Sequence, residues 1–371
     1  MKNLHLMSMP SGFNTYLMEM INEHFPHEDN YFVWKKEEKF PAAFDNAVVD
    51  SRWFNVEYIN THHQDWDQIF LHELFLTDRQ LLFLNDDAAK KITWVVWGHD
   101  LYRKPRKPSR NLRSLALFVH RWLRQYSFLY CGFRKRVAQK VGLFRGIATG
   151  YLYDEKMIRK RYGSSVPVVY GPYFSKDNGR SQADTYREMH LATEHSETRI
   201  MLGHCGSKFN QHEKYLRKLA KYRKENIHIY LVLSYLASSE RISKIKILAE
   251  SLFRKDQITV LTELMPRRDY YTILSTMDIG IFPFKQQSGL GNTKRLAYMG
   301  VKLYLNPKGV LAKGFKEGGV TTYDCKQIGR LPFPEFAKPS ALPDKDAPLF
   351  DAFDYDRNVR AWKSLLYCKL N

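Results

Sequence analysis

The stretch DIGIFPFKQQSGLGNTKRLAYMGVKLYLN, residues 278–306, reads as strand, glycine loop, helix and strand. DIGIFPF and KLYLN are apolar runs of strand length. Between them Gly289 and Gly291 mark a loop, and NTKRLAYMG carries the helical segment. Strands alternating with helices build layered α/β domains, so this unit predicts an α/β fold.

Working outward, the alternation continues. TRIMLG, IHIYLVLSY and QITVLTE read as strands. NQHEKYLRKLAKYR, SERISKIKILAESLFR and RRDYYTILSTM read as helices. In the first half KNLHLMSM, NYFVW, AVVD, DQIFLHELF, ITWVVWG, GIATG and PVVYGPYF supply strands, with helices at FNTYLMEMINEHF and DRQLLFL. The polar stretch 176–196 reads as a linker. The expected organisation is therefore a Rossmann-like domain at 1–175, a second at 197–330, and a Pro-rich segment with a terminal helix at 331–371.

Composition narrows the class. With 371 residues, 44% of them hydrophobic and 14% aromatic, the chain can pack more than one core. No repeat or low-complexity tract is present. Cys131, Cys205, Cys325 and Cys368 show no paired spacing, which argues against a zinc site or a disulfide framework. The segment MKNLHLMSMPSGF is too short an apolar run for a signal peptide, and no window approaches the roughly 18 apolar residues of a spanning helix. A cytoplasmic protein is expected.

The net charge of +19 calls for an anionic partner. From Leu101 to Tyr153 there are thirteen Lys or Arg and no Asp or Glu. In residues 110–130 Leu112, Leu115, Val119, Trp122, Tyr126 and Leu129 fall on one helical face, and Arg110, Arg113, Arg121 and Arg124 on another. This pattern suits a core helix with a basic solvated side, or a helix lying on anionic headgroups. No nucleic-acid-binding signature accompanies it.

Two loops are candidate phosphate cradles. In LGHCGSKFNQHEKYL, Gly203 and Gly206 permit tight turns, and Asn210 is a plausible N-cap. In KQQSGLGNTKRLAYMG, Asn292 and Thr293 open the helix while Lys294 and Arg295 load its first turn with positive charge. Cations there oppose the helix dipole, a cost that an adjacent anion would relieve. Structural glycines and a solvated turn are the plainer readings. Neither loop is a Walker motif, and no G-x-G-x-x-G opens the chain, so no nicotinamide-type cofactor is expected.

WVVWGHDLY, LGHCGSKFNQHEKYL, FLHELF, RDYYTILSTMDIGIFPF and FPFKQQSGLGNTKRLAYMGVKLYLN together resemble the bacterial 4-acetamido-4,6-dideoxygalactosyltransferases, the N-acetylfucosaminyltransferases of glycosyltransferase family 56. The resemblance runs in order along most of the chain. It implies a GT-B fold, with two Rossmann-like domains facing across a cleft and a C-terminal helix. It also implies metal-independent transfer, without a cofactor, from a nucleotide-sugar donor, dTDP-linked in this family. The implied acceptor is a polyprenyl-diphosphate-linked oligosaccharide of bacterial surface polysaccharide synthesis. The implied enzyme is peripheral on the cytoplasmic face of the inner membrane, so Arg110, Arg113, Arg121, Trp122 and Arg124 become candidates for the anionic membrane surface. His99 and Ser288 depart from the family pattern.

Glycosyl transfer needs a stabilised leaving diphosphate and a deprotonated acceptor hydroxyl. Candidates for the first are Gly203, Gly206, Ser207, Asn210, Gly289, Gly291, Asn292, Thr293 and Lys294, with Glu263 and Tyr235 near the nucleoside. Candidates for the base are Asp100, His72 and His99. Asp100 could equally touch the acceptor or cap the loop, and His72 could be a core histidine. A UDP-sugar transferase of O-antigen or capsule assembly is the alternative within enzymes. A non-catalytic basic protein that binds membranes or nucleic acid is the alternative outside them.

Overall fold

The computed structural model describes residues 1–8, 11–38, 44–102, 128–163, 165–174 and 179–368, with backbone alone at 128–131. The expected basic helix at Arg110, Arg113, Arg121, Trp122 and Arg124 lies outside the described residues. The chain divides into two units, Met1–Lys176 with Tyr355–Asn371, and Asp177–Asp354.

In the first unit seven strands, β1 Asn3–Met7, β2 Asn30–Trp34, β3 Ala47–Val49, β4 Gln68–His72, β5 Ile92–Val95, β6 Gly146–Thr149 and β7 Val168–Tyr170, form one sheet in the order β3-β2-β1-β4-β5-β6-β7. Every pairing is parallel. Parallel strands need crossovers, which cover both faces, so both sets of alternating side chains are buried. Leu4, Leu6, Ile69 and Leu71 enter one core, and Met7 and Phe70 enter the other.

The second unit holds six strands, β8 Thr198–Leu202, β9 Ile227–Val232, β10 Ile258–Leu261, β11 Ile279–Phe282, β12 Lys302–Leu305 and β13 Tyr323–Asp324, in the order β10-β9-β8-β11-β12-β13. These pairings are parallel too. Strand order therefore reverses between β1 and β4 in one unit and between β8 and β11 in the other. The connections that follow those strands diverge there and leave a crevice at the strand ends.

Two boundaries differ from the sequence expectation. The stretch 176–196 is not an open linker, because Arg180–Ala192 is a helix of the second unit. Its polar sequence hides a narrow inward stripe of Ala183, Tyr186 and Arg187. Arg187 Nη1 donates to the Tyr298 carbonyl at 2.8 Å. The expected 331–371 tail also divides. Phe336, Leu349, Phe350 and Phe353 are buried in the second unit, whereas the helix Tyr355–Tyr367 belongs to the first.

That terminal helix covers the β1–β4 face, with Trp362, Leu365 and Leu366 in the core around Phe32 and Phe70. Its indole Nε1 donates to the Pro172 carbonyl at 2.9 Å, and Gln68 Nε2 donates to the Leu366 carbonyl at 2.7 Å. Trp362 is fully buried. Trp362→Ala should therefore cost the first unit about 3–5 kcal/mol in urea unfolding followed by circular dichroism. A loss below about 1 kcal/mol would mean that the helix is a dispensable cover.

Candidate active site

At the reversal point of the second sheet, the loops after β8 and β11 meet through side chains. Ser288 Oγ lies 2.9 Å from His204 Nε2. Burial pushes the imidazole down to about 4, so it is neutral at physiological pH and shares one hydrogen bond with the Ser288 hydroxyl. His204 also lies parallel to Phe209 and edge-on to Phe284. Gly289 adopts φ +60, and a Cβ there would stand 2.7 Å from His204 Cγ. Only glycine meets both demands.

The remaining donor candidates separate into supports and surfaces. Gly203 bonds its amide to the Ile281 carbonyl at 3.0 Å, tying β8 to β11. Gly206 gives its amide to the Tyr235 carbonyl at 2.8 Å, and an added Cβ would meet Ala237 Cβ at 2.1 Å. Its role is therefore close packing of two loops. Asn210 is not the expected N-cap. Gln211, at φ 53, occupies that place before the helix His212–Leu219. Asn210 instead donates to the Cys205 carbonyl at 2.8 Å and accepts from the His204 amide at 3.4 Å, clamping the loop. Ser207 is partly exposed and opens the turn Lys208–Asn210. Tyr235 and Glu263 are exposed in the loops after β9 and β10.

The helix Leu290–Met299 starts at Gly289 with no acidic residue in its first turn. Its first intrahelical bond runs from the Thr293 amide to the Gly289 carbonyl, so the amides of Leu290, Gly291 and Asn292 precede the ladder. A Cβ on Gly291 would meet nothing within 4 Å, so the backbone there is open to close approach. Asn292 donates to Tyr270 Oη at 2.9 Å, while Thr293 turns its hydroxyl back to the Gly289 carbonyl at 3.0 Å. Lys294 is buried. Arg295, expected beside it as loop charge, instead stacks 3.8 Å from the Tyr271 ring centre. Burial among aromatics lowers its pKa.

The first unit carries a second polar pair at its own reversal point. Ser8 Oγ, just past β1, donates to Glu73 Oε2 at 2.7 Å and lies 3.1 Å from the His72 carbonyl. Glu73 follows β4 with φ 92, a conformation costly for a residue with a Cβ. Its other oxygen, Oε1, lies 2.7 Å from His99 Nε2. The Glu73 side chain is 9% exposed and that of His99 44%.

Asp100 and His72 stand differently. Asp100 Oδ2 accepts from Trp94 Nε1 at 2.7 Å and from the Leu74 amide at 3.0 Å. Its Oδ1 accepts from the Leu101 and Trp97 amides at 2.9 and 3.2 Å. Burial nevertheless raises the Asp100 pKa. With both oxygens engaged, the carboxylate clamps the loop after β5. His72 is fully buried within a polar chain. Trp97 Nε1 donates to Tyr173 Oη at 2.7 Å, Tyr173 Oη lies 2.5 Å from His72 Nδ1, and His72 Nε2 lies 3.0 Å from His5 Nδ1. Burial holds His5 at about 3 and His72 well below its ordinary value, so both are neutral. The indole is the donor at one end, and neutral imidazoles carry the chain on from Tyr173 through His72 to His5. Of the three base candidates, His99 alone is solvent-accessible. Sequence reasoning missed Ser8 and Glu73. Both lay within quoted strand segments, KNLHLMSM and FLHELF, and the strand order is what pairs them.

Among the described residues no three His, Cys, Asp or Glu groups gather as a metal site, and no helix is long and apolar enough to cross a membrane.

Two parallel-sheet units of this kind make up the GT-B fold, and solved structures with that fold match nearly the whole chain. HepE of Anabaena, in complex with UDP, has a TM-score of 0.61 at 12% identity, over 98% of this chain and 99% of that one. Sucrose-phosphate synthase of Thermosynechococcus elongatus gives 0.60 at 11%, over 98% of each. WaaG, a glycosyltransferase involved in lipopolysaccharide biosynthesis, gives 0.52 at 12%, over 100% of this chain and 97% of that one. The chain belongs to the 4-alpha-L-fucosyltransferase family, glycosyl transferase group 56, whose model matches residues 5–331. The protein is thus a glycosyltransferase.

The buried histidines make stability pH-dependent. In the unfolded chain His204 binds a proton near 6.5, but in the fold only near 4. The unfolded state therefore holds more protons between those values, and stability falls as pH drops through that window. The gap corresponds to at most about 3 kcal/mol. His212, at about 4, and His5, at about 3, add to the slope. His204→Gln should therefore flatten, not abolish, the fall in urea midpoint from pH 6.5 to 4. An unchanged slope would contradict the neutral assignment.

Proposed function

We propose that this glycosyltransferase moves an N-acetylated deoxyamino sugar from a dTDP-linked donor to a polyprenyl-diphosphate-linked oligosaccharide, in bacterial surface polysaccharide synthesis at the cytoplasmic face of the inner membrane. The observation that carries the donor half is the Leu290–Met299 helix, which opens at the reversal point of its sheet with uncapped first-turn amides and bare backbone at Gly291. Such an end attracts a diphosphate through its amides and its dipole. Lys294 adds charge in the same turn. Tyr235 and Glu263, in neighbouring strand-end loops, are placed to border the nucleoside. The UDP held by HepE supports a nucleoside diphosphate as the leaving group.

In the reaction, the acceptor hydroxyl oxygen bonds the anomeric carbon, the bond from that carbon to the diphosphate breaks, and the nucleoside diphosphate departs. The hydroxyl proton goes to His99. Glu73 accepts His99 Nε2–H, which leaves Nδ1 as the basic nitrogen, and Ser8 holds the Glu73 carboxylate in place. Asp100 and His72 act at one remove. Asp100 shapes the loop that carries His99, and His72 fixes the Tyr173–Trp97 wall.

Two measurements test the halves separately. In a thermal-shift panel of dTDP, UDP and GDP, dTDP should stabilise the protein most. Gly291→Val should weaken it by blocking close approach of the backbone to the diphosphate, and Lys294→Ala by removing a charge-assisted contact worth roughly 1.5–3 kcal/mol, about ten- to a hundredfold. Strongest stabilisation by UDP would instead select the UDP-sugar reading, and unaltered affinities in both variants would move the donor site elsewhere. For the base, His99→Gln should lower kcat by about 10²–10⁴ while donor binding and folding persist. Wild-type turnover in that variant would end the assignment.

A further inference from the structure

The structure assigns a second anion site, distinct from the glycine loop: a groove between the helices His212–Leu219 and Ser239–Leu252 that we propose binds a phosphoryl group. Lys208, Lys214, Arg217, Arg241 and Lys244 line it, with Glu213 as the carboxylate among them. Glu213 is already engaged. Its two oxygens take Arg241 Nη1 and Nη2 at 3.0 and 3.4 Å, while Arg241 Nε donates to the Gly206 carbonyl at 2.6 Å. Arg241 is thereby a fixed strut.

The other four cations form no ion pair with a described carboxylate. Lys214 reaches the Gln211 side-chain oxygen at 3.3 Å, and Arg217 the Glu213 carbonyl at 3.1 Å. Elsewhere on this unit the pattern is different: Arg199 pairs with Glu197, Arg254 with Asp256, and Lys246 with Glu250. Lys246 and Lys244 share one helix, so that helix neutralises one side and leaves the groove side bare. Lys214 and Arg217 are three residues apart, as are Arg241 and Lys244. On the first helix Lys214 and Arg217 thus set two like charges on one face, an arrangement that costs stability unless an anion intervenes, while on the second Glu213 answers Arg241 and leaves Lys244.

The charge number identifies the ligand class. A carboxylate brings a single charge, which leaves most of this lining unanswered. A phosphoryl group brings up to two charges and three acceptor oxygens, matched to lysine ammonium groups and the arginine fork. Beyond Arg217 and Lys244 the groove continues to Ile247, which is 67% exposed. The phosphoryl group can belong to a free phosphorylated molecule or to a phosphomonoester lipid headgroup; the chemistry that binds it is the same. The assignment does not depend on the glycosyl-transfer reading.

The test compares the full-length protein with K214E/R217E/K244E, which leaves the Arg241–Glu213 strut intact. Inorganic diphosphate is titrated by calorimetry. Vesicles of phosphatidic acid, a phosphomonoester lipid, or of phosphatidylcholine are tested by co-sedimentation at low salt. The variant should lose at least tenfold in affinity for one anionic probe. Loss for diphosphate marks a free ligand; loss for phosphatidic acid vesicles alone marks a headgroup. Equal affinity of variant and wild type for both probes overturns the proposal. Parallel loss of dTDP and UDP binding also overturns it, because the groove would then be part of the donor site. If the charge reversal prevents folding, K214Q/R217Q/K244Q replaces it, and a loss below threefold for both probes is the overturning result.

Discussion

A parallel sheet cannot cover its own strand ends where strand order reverses. Connections from the two strands there depart to opposite faces, and nothing in the backbone fills the place between them. Both units obey this constraint, and the chemistry follows it. Ser8 and Glu73 stand after β1 and β4, and Ser288 and His204 after β11 and β8. In each unit a serine hydroxyl from one loop meets a titratable side chain from the other. Elsewhere along these strands both faces are buried, so a chargeable group would have to be neutral or paired. The strand end is the one place where a charge can meet solvent and ligand without that cost.

Burial then divides the histidines into two kinds. His5, His72 and His204 lie where the imidazolium is too expensive, and they act as neutral hydrogen-bonding parts. His99 lies half-exposed beside the Glu73 carboxylate. The same physics turns Asp100 from a candidate base into a clamp. Four N–H donors converge on it, and its loss would orphan an indole and three amides. Satisfying those donors fixes the turn that carries His99, next to Asp100 in sequence.

The alternation of strands and helices was legible because buried parallel strands are continuous apolar runs, and DIGIFPF or ITWVVWG can hardly be anything else. The glycine loop at 289–291 was legible for the same reason, as an abrupt break after such a run. Glu73 was not, because nothing in FLHELF says that its strand neighbours the one ending at Ser8; only strand order does. Arg295 misled in the opposite direction. A cation in a first turn suggests a ligand, yet an arginine plane can be absorbed by aromatic faces, here chiefly Tyr271. The helix Arg180–Ala192 escaped because three inward residues in thirteen leave a segment looking polar.

The terminal helix raises a different point. The sequence places it after the second unit, yet its indole stacks over His72, 9° from parallel and 6.1 Å away, within the first. Trp362 is thus one wall of the apolar chamber that keeps His72 neutral. His72 in turn holds Tyr173, and Tyr173 accepts the Trp97 indole next to the loop bearing His99 and Asp100. A residue near the end of the chain is in this way connected, through packing and two hydrogen bonds, to the loop after β5. The last helix is therefore an integral part of the first unit and not a cap added to a finished fold: without it His72 would lose the indole stacked on its ring and part of the burial that keeps it neutral.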